Sequence, residues 1–324
     1  MSISTSLESS ATGSTAVDGG ASPDGFGERI EGRSTWQLAW ARLRRDRAAM
    51  ISLGIIIIIV LVAIFAPVFA TITGHGVNQQ FRDTGLSPDG LPKGPGSTFL
   101  FGTDDQGRDI LVRVAYGARI SLLVGVVATL ITVAVGAVLG IAAGYLGGIV
   151  DTLIARFIDI VLSLPYLLFA ISLVSINFLG GPGLGIIIFV LAVFSWAAVA
   201  RIVRGQVLSI REKEYIEAAR SLGASSWRIM FVDVLPNVTA QLIVYATLLI
   251  PVVIVSEAVL SFLGLGVPPP TADWGQMIAE SEAVYQQAWW FLVFPSVALV
   301  ITTLAFNILG DGVRDALDPR FERL

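Results

Sequence analysis

The feature that most constrains this chain is a set of long segments that carry no charged residue. These segments cover residues 48–74, 120–150, 160–200, 234–256 and 283–310. An α-helix needs about 20 apolar residues to cross the hydrocarbon core of a bilayer. The sequence Gly180-Gly181-Pro182-Gly183 divides the third segment, because glycine and proline interrupt helices. The pattern therefore predicts six membrane-spanning helices, and we expect the fifth to continue to about Leu265.

The composition supports an all-α membrane protein. Hydrophobic residues make up 54% of the chain and charged residues only 14%, whereas soluble domains carry about a quarter charged residues. Because backbone polar groups inside lipid must be bonded within the protein, we expect the six spans to be helices. The net charge of −4 gives no indication of nucleic-acid binding.

The sequence offers little for metal or thiol chemistry. Cysteine is absent, which excludes disulfides, thiolate metal sites and cysteine nucleophiles. His75 is the only histidine, and we interpret it as an ordinary loop residue. We expect no metal site, no catalytic residue and no cofactor in this chain.

The distribution of basic residues predicts how the chain is oriented. Residues 1–35 are rich in Ser, Gly and acidic residues and lack the apolar core of a signal peptide, which predicts a disordered tail. Six spans place both termini on one side, together with the loop 201–236. Most of the 21 Lys and Arg residues fall on that side. The positive-inside rule then predicts cytoplasmic termini in a multi-pass protein of the cell membrane, with the lipid bilayer as a partner.

A polar insert at residues 212–236 separates the fourth and fifth spans. Its first part, up to Leu222, has the period of an amphipathic helix. The apolar face comprises Tyr215, Ile216, Ala219 and Leu222. Gly223 is expected to end this helix, and a serine at position 225 or 226 to cap a second short helix over 227–234. Two interpretations remain open here: a helix resting on lipid headgroups and a docking surface for a partner.

Within this insert, Glu217-Ala218-Ala219, Gly223 and the pair Leu235-Pro236 have the spacing of the EAA signature, so the chain resembles permeases of ABC importers. Three further segments are similar to the C-type subunit of dipeptide and oligopeptide permeases. These segments are residues 101–125, 257–278 and 309–320. The likeness covers roughly residues 36–324. Asp233 departs from the general pattern, which prefers an aliphatic residue at that position.

The resemblance implies the type I ABC importer permease fold, with the insert acting as the coupling helix that docks on an ATPase subunit. The contact residues that it implies are Glu217, Ala218, Ala219, Arg220, Leu222 and Gly223. The implied partners are a second homologous permease subunit, ATP-binding cassette ATPase subunits and an extracytoplasmic substrate-binding protein. The chain has no GxxxxGK[ST] phosphate loop. We therefore expect ATP and Mg²⁺ to bind to the ATPase subunits, and this chain not to be an enzyme by itself.

The same resemblance implies dipeptides or oligopeptides as substrates, with nickel chelates or other small solutes as the alternative. A stand-alone secondary transporter or channel is a weaker hypothesis, because ion-coupled transporters usually need intramembrane carboxylates or an evident inverted repeat. A membrane-embedded enzyme is disfavoured, because the sequence shows no nucleophile elbow, metal-ligand set or His–Asp constellation.

These considerations predict four regions along the chain. Residues 1–35 form the cytoplasmic tail, and residues 36–118 form the first span with a long extracytoplasmic loop. Residues 119–312 form the core permease domain with five spans and the coupling helix, and residues 313–324 form a cytoplasmic C-terminus.

Three residues of the predicted third and fifth spans are candidates for the transport pathway. Asp159 and Glu257 are carboxylates at membrane depth, where charge is costly and often functional. The alternative for Asp159 is an ion pair with Arg156 near the interface. Pro251 should kink the fifth span, either beside the pathway or as a feature of packing alone, and Pro165 has the same alternatives in the third span.

The long first loop also carries a helix signal. The sequence Thr103-Asp104-Asp105-Gln106 matches a capping box and predicts a helix continuing through Tyr116. This helix either contacts the binding protein or packs structurally on the rim of the bundle. The last external loop, 267–290, is acidic and is a second candidate for docking the binding protein. Its tryptophans, Trp274, Trp289 and Trp290, are predicted to lie in the aromatic belt at the membrane interface.

Overall fold

The structure is a computed structural model that describes residues 35–176 and 183–318, and within these ranges the chain is almost entirely helical. The predicted tail and the divider at 180–182 lie outside the described residues, as do residues 319–324. The helices are α1 (Thr35–Leu43), α2 (Arg47–Ile64), α3 (Ala66–Thr73), α4 (Arg82–Gly85), α5 (Ile110–Leu146), α6 (Gly148–Ser163), α7 (Tyr166–Ser175), α8 (Leu184–Arg211), α9 (Glu214–Ser221), α10 (Ser226–Arg228), α11 (Leu235–Phe262), α12 (Trp274–Ser281) and α13 (Trp289–Leu317).

The membrane spans match the predicted number. Four single helices are long and apolar enough to cross a bilayer, namely α2, α5, α8 and α13. A fifth such helix runs from Ser226 to Phe262, so it includes α10 and α11. The pair α6 and α7 forms a sixth apolar unit that is bent by 83°. The expectation of an all-α membrane protein with six spans is confirmed.

The third span differs from the sequence prediction, because it is a bent pair that begins well before residue 160. Helix α6 already begins at Gly148 and ends at Ser163. Leu164 is extended, with φ −82° and ψ 131°, as expected for a residue that precedes a proline. Pro165 then precedes α7. The proline therefore breaks this span, whereas α11 continues through Pro251 as one helix.

Helices α5 and α8 pack at very short range along a ladder of glycines. Gly136, Gly140 and Gly144 are spaced by four residues on α5 and face Val199, Val203 and Val207 on α8. A β-carbon at Gly144 would lie only 2.7 Å from the β-carbon of Val207. Small residues permit such close approach between membrane helices. Because both series increase together, α5 and α8 run parallel, as the second and fourth spans should.

The bundle has two ends, which we call the terminal face and the loop face. On the terminal face, Ala39 and Leu43 of α1 pack with Ala316 near the end of α13. On the loop face, the segments 74–109 and 263–288 meet each other. There, Trp290 donates from Nε1 to the carbonyl oxygen of Thr103 at 3.2 Å. The N-terminal and C-terminal parts that the structure describes therefore lie on one side, as predicted from the number of spans.

His75 is not an ordinary loop residue, so that interpretation is wrong. Its side chain is buried between Phe81 and Phe99, with ring centroids 4.6 and 4.7 Å away. Its Nδ1 lies 2.6 Å from Oδ2 of Asp109. The polar sequence around His75 gave no sign of this burial, because the aromatic partners come from positions that only the folded loop brings together.

The capping box predicted at Thr103 is also wrong. Helix α5 begins at Ile110, and Asp109 is its N-cap, accepting from the backbone nitrogen of Leu111 at 2.9 Å. The Thr103 hydroxyl instead donates to the carbonyl oxygen of Gly85 at 2.5 Å. Asp104 folds the turn by accepting from the backbone nitrogens of Gln106 and Arg108. Asp109 caps α5 because it directly precedes the apolar run. Thr103 and Asp104 are not available as caps, because their side chains form hydrogen bonds within the loop that precedes α5.

Two of the three tryptophans predicted for the aromatic belt are buried in the protein. Trp274 is almost fully buried and donates from Nε1 to the carbonyl oxygen of Val114 at 3.0 Å. Trp290 is also buried, and only Trp289 is exposed. Trp274 and Trp290 are therefore buried by packing on the loop face and do not lie at the membrane interface, where their residue type had placed them.

Candidate functional site

Helix α9 is the short helix predicted inside the polar insert, and one buried side chain holds it on the bundle. Ile216 is fully buried. Its cluster combines the ends of α5 and α8 with the start of the fifth span, and includes Tyr145, Val203, Val207, Ile229, Met230 and Val234. Glu214 and Glu217 lie in the first turn of α9, where the helix dipole favours negative charge. The helix is therefore anchored on one side and polar on the other.

Gly223 ends α9 as predicted. It has φ +81°, a conformation that glycine adopts without a side-chain penalty. Its nitrogen donates to the carbonyl oxygen of Arg220 at 3.0 Å, and the nitrogen of Ala224 donates to that of Ala219 at 3.1 Å. This pair of bonds is a Schellman motif, which turns the chain sharply after Leu222.

The residues of the EAA signature divide between the surface and the bundle. Glu217 and Ala218 are exposed, whereas Ala219 is half-buried and packs against the Ile216 cluster. The guanidinium of Arg220 lies over the ring of Tyr145, 5.5 Å from its centroid. Leu222 is 88% exposed. The predicted apolar face is therefore wrong at Leu222, because the helix has already ended and the Schellman turn directs this side chain outward.

The second limb of the insert is not a separate short helix. Ser225 caps α10, and its hydroxyl oxygen accepts from the nitrogen of Arg228 at 3.4 Å. A π-helical stretch, Ile229–Val234, then leads directly into α11. The wider turn accommodates Pro236, which has no N–H and would crowd the preceding turn of an ordinary α-helix. The second limb of the insert and the fifth span therefore form one continuous helix, Ser226–Phe262.

An exposed aromatic pair beside α9 was not among the predicted site residues. The rings of Trp227 and Phe231 stack at 5.7 Å with an interplanar angle of 10°. Trp227 is 69% exposed. Their i, i+4 spacing was a readable signal, since residues four apart share a helix face. We call the exposed side chains of Glu217, Ala218, Leu222, Trp227 and Phe231 the α9 surface.

Asp159 pairs with Arg201 of α8 and not with Arg156, so the predicted partner is wrong. The Arg201 guanidinium donates to Oδ1 of Asp159 at 2.5 Å, and both side chains are about half exposed. A second pair joins Arg204 to Asp151. These two ion pairs join α6 to α8, a tertiary contact that local spacing does not reveal.

Glu257 is fully buried between α5 and α11. It accepts hydrogen bonds from the hydroxyls of Ser121 and Ser261, at 3.1 and 2.9 Å. The carboxyl of Asp273, the N-cap of α12, lies beside it and is also fully buried. Burial raises the pKa of Asp273 above its ordinary value. This polar cluster joins a span to the loop face.

A groove opens at the bend of the third span, beside α8 and α11. Its volume is about 260 Å³. Its lining is mostly apolar with three hydroxyl-bearing side chains, and comprises Val161, Leu162, Leu164, Tyr166, Leu191, Phe194, Ser195 and Ser256. Glu257, Asp159 and Pro251 do not line this groove, although the first two are sequence neighbours of residues that do. Their roles in transport remain predictions.

The loop face carries a buried cluster of charges. Asp104 contacts two fully buried guanidiniums, through Nε of Arg108 at 2.5 Å and Nε of Arg113 at 3.4 Å. Arg108 also reaches Glu280 at 3.0 Å. Asp105 completes a trio of carboxylates that lie close enough to share a cation, but the two arginines already neutralise much of this charge. The cluster joins the two loops of the loop face into one structure.

Comparison with known proteins connects this geometry to a family. Residues 136–323 match the model of the binding-protein-dependent transport system inner membrane component. Residues 34–88 match the model of the N-terminal TM domain of oligopeptide transport permease C. The chain belongs to the binding-protein-dependent transport permeases. Its match to the second model places it with the C-type permeases of this family, as the likeness of residues 101–125, 257–278 and 309–320 predicted.

Relatives with high similarity cover most of the permease. It is 43% identical over 89% of its length to the dipeptide transport system permease protein DppC of Bacillus subtilis, and covers 86% of that protein. It is 40% identical over 90% of its length to the oligopeptide transport system permease protein OppC of Haemophilus influenzae, and covers 91% of it. Among solved structures, a chain of the MetNI methionine ABC transporter in an inward-facing conformation matches with a TM-score of 0.52 and 22% identity. That match covers 63% of this permease and 96% of the MetNI chain, and it supports the type I importer fold.

Proposed function

We propose that this permease is the C-type membrane subunit of an ATP-driven importer for dipeptides or oligopeptides. The family and the named relatives support the substrate class. The observation that carries the mechanism is the α9 surface, because it presents an EAA segment outward from a rigidly packed helix. The chain would form half of a translocation pathway, and a second homologous permease subunit would complete it.

The α9 surface is suited to dock on an ATPase subunit. Among the described residues, the Glu217 carboxylate has no ion-pair partner, so it is available to a partner's basic group. Burial of an exposed leucine such as Leu222 contributes about 1.5–3 kcal/mol, and exposed aromatic side chains such as Trp227 are typical anchors of interfaces. ATP and Mg²⁺ would bind to the ATPase subunit, and this chain would perform no catalysis itself.

The packing below α9 supports a direct route for coupling. Ile216 contacts the ends of α5 and α8 and the π-helical start of the fifth span in one cluster. Movement of a docked ATPase subunit would therefore displace three spans together. Two of these, α8 and α11, line the groove at the bend of the third span. We infer that this groove is part of the pathway, with Pro251 and Glu257 shaping α11 and Asp159 orienting α6.

The orientation follows from the same proposal. The terminal face, with α9, would lie in the cytoplasm, because the ATPase works there and because basic residues concentrate on that side. The loop face would then lie outside the cell membrane and receive the substrate-binding protein. The surface available to that protein is the joined pair of external loops, which the Arg108 cluster holds in a fixed arrangement.

The test is assembly and coupled transport in the complete importer. We expect Glu217→Ala and Leu222→Asp to reduce co-purification of the ATPase subunit and uptake of a labelled dipeptide, with membrane insertion intact. Gly223→Pro should have the same effect, because proline cannot adopt the φ of +81° that ends α9. Glu214→Ala is a matched control, since Glu214 is also an exposed carboxylate in the first turn of α9.

Two outcomes would contradict different parts of the proposal. Normal assembly and uptake in both Glu217→Ala and Leu222→Asp would remove the docking role of the α9 surface. Full transport by the permease in the absence of any ATPase would remove the importer mechanism as a whole and favour the stand-alone transporter.

A further inference from the structure

The short helix α1 presents more apolar surface than the protein covers. Ala39 and Leu43 are buried where they pack near the end of α13. Trp36 and Trp40 lie one turn apart on the adjoining strip, and they remain 51% and 45% exposed. Two large exposed indoles on an otherwise docked helix indicate a second contact that the described chain does not supply.

The position of α1 places these indoles at the boundary of the membrane. Helix α1 ends at Leu43, and α2, a membrane span, begins at Arg47. Asp46 fixes the corner, because its carboxylate accepts from the backbone nitrogens of Ala48 and Ala49 at 2.8 and 3.2 Å. The Arg42 guanidinium donates to the carbonyl oxygen of Asp318 at 3.2 Å, so α1 is also tied to the point where the last span ends.

The charged residues of α1 and the corner that follows it, residues 35–47, are mostly basic. The guanidinium of Arg44 lies 4.8 Å from the ring centroid of Trp40, and Arg45 and Arg47 are exposed. Asp46 is the only acidic residue among residues 35–47, and its carboxylate is already occupied by the cap of α2. The exposed rim therefore combines indoles with arginines, which suits the boundary between acyl chains and phosphates.

We propose that α1 and the following corner form a binding surface for anionic phospholipid headgroups. Trp36 and Trp40 lie at the level of the lipid carbonyls, and Arg44, Arg45 and Arg47 contact the phosphates. This surface fixes the depth of the first and last spans on the terminal face. The occupant is a lipid because the indoles and arginines lie level with the end of two spans, where the membrane itself is the neighbouring phase.

The first test measures which headgroups the full-length permease retains. The permease is reconstituted in mixed phosphatidylglycerol and phosphatidylcholine nanodiscs, extracted, and analysed by native mass spectrometry. We expect retention of phosphatidylglycerol to fall about fivefold for each arginine replaced in Arg44→Gln and Arg45→Gln, and to recover with lysine at both positions. Arg82→Gln combined with Arg228→Gln is the control, because both arginines are exposed but lie elsewhere. Equal retention in all variants would overturn the proposal.

The second test uses the absence of native cysteine, because a single introduced cysteine carries a spin label uniquely. Neighbouring labels at Trp40→Cys and Ala41→Cys should differ. The label at position 40 should be more accessible to oxygen dissolved in lipid, and that at position 41 to a water-soluble relaxation agent. Equal exposure of both labels to water would contradict a lipid surface. Protection of position 40 only when the ATPase subunit is added would show that a protein covers this face.

Discussion

Gly140 of α5 lies so close to Val203 of α8 that a β-carbon on the glycine would stand 2.7 Å from the β-carbon of the valine. The carbonyl oxygen of Ala200 would be equally near. Real β-carbons do not approach other atoms so closely, and both obstacles belong to another helix. The parallel contact between the second and fourth spans therefore depends on the absence of a side chain at this position.

We predict that Gly140→Ala destabilises the permease, because the helices must separate to admit the methyl group. Overpacking of this kind costs about 1–3 kcal/mol. Gly54→Ala is the matched control, since a β-carbon at Gly54 of α2 meets nothing within 4 Å. That change should be neutral or stabilising by up to about 1 kcal/mol. Thermal unfolding in detergent separates the two variants, and equal midpoints would show that the α5–α8 contact is looser than described.

For Glu257 we predict that shape and hydrogen bonding matter more than charge. Glu257→Gln should retain assembly and uptake, because an amide can still accept from Ser121 or Ser261 and donate to the carboxyl of Asp273. Glu257→Leu leaves these buried groups without a partner, at a cost of about 1–3 kcal/mol for each. The measurements are the yield of assembled importer and dipeptide uptake.

Loss of transport in Glu257→Gln would require a different role for this residue. Loss of uptake in a fully assembled Glu257→Gln importer would show that the negative charge itself acts in transport. Thr239→Ala is a control on the same helix, because the Thr239 hydroxyl donates to the carbonyl oxygen of Leu235 within α11 and belongs neither to the buried cluster nor to the groove.

The ion pair between Asp159 of α6 and Arg201 of α8 predicts that replacing Arg201 and replacing Arg156 have different effects on stability. Arg201→Gln should lower stability by about 1 kcal/mol or less, because Asp159 and Arg201 are half exposed and such pairs contribute little. Arg156→Gln should have no effect through Asp159. The doubly exchanged variant, Asp159→Arg with Arg201→Asp, should recover part of the loss. A larger effect of Arg156→Gln in unfolding experiments would restore the local pairing that the sequence suggested.

The loop face should show a pH dependence that arises from Asp105. Burial, followed by the neighbouring carboxylates of Asp104 and Glu280, raises the pKa of Asp105 above its ordinary value. A raised pKa in the folded state means that this group favours folding while protonated, and that this contribution is lost as the pH rises through the folded-state pKa. Asp105→Asn should therefore stabilise the permease at neutral pH.

The measurement is the unfolding midpoint of both proteins across a pH series. The stabilisation by Asp105→Asn should shrink as the pH falls through the raised folded-state pKa towards the ordinary aspartate value, and should vanish below that value, where the native side chain is protonated in both states. Asp83→Asn, an exposed carboxyl on the same face, is the control. A stabilisation that is constant with pH would assign the effect to packing and not to ionisation.

The sequence predicted those features that depend on local composition or on one residue's backbone preference. Charge-free length predicted the spans, and Gly223 predicted the end of α9, because each signal lies within a few neighbouring residues. It did not predict that Pro165 breaks a span while Pro251 does not. The environment of each proline decides this, since freed backbone groups need partners from neighbouring helices.

Contacts between distant parts of the chain were the main source of wrong predictions. His75 with Asp109, Asp159 with Arg201, and Trp290 with Thr103 all join segments that no local pattern relates. Local spacing instead assigned Arg156 as the ion-pair partner of Asp159. It also assigned Thr103 as the cap of the helix that follows it. In the candidate site, the EAA residues were identified from spacing, but Trp227 and Phe231 were overlooked because their exposure depends on the continuous helix that follows Ser225.

That continuous helix runs from Ser226 to Phe262, a length of about 55 Å at 1.5 Å per residue. One end carries Trp227, its middle passes Pro251, and Glu257 near the other end lies beside Asp273 of the loop face. The chain therefore contains a single piece of secondary structure that is longer than the membrane is thick. Whatever tilts the end on the terminal face must also reposition the end on the loop face, so the two ends of the bundle cannot be adjusted independently.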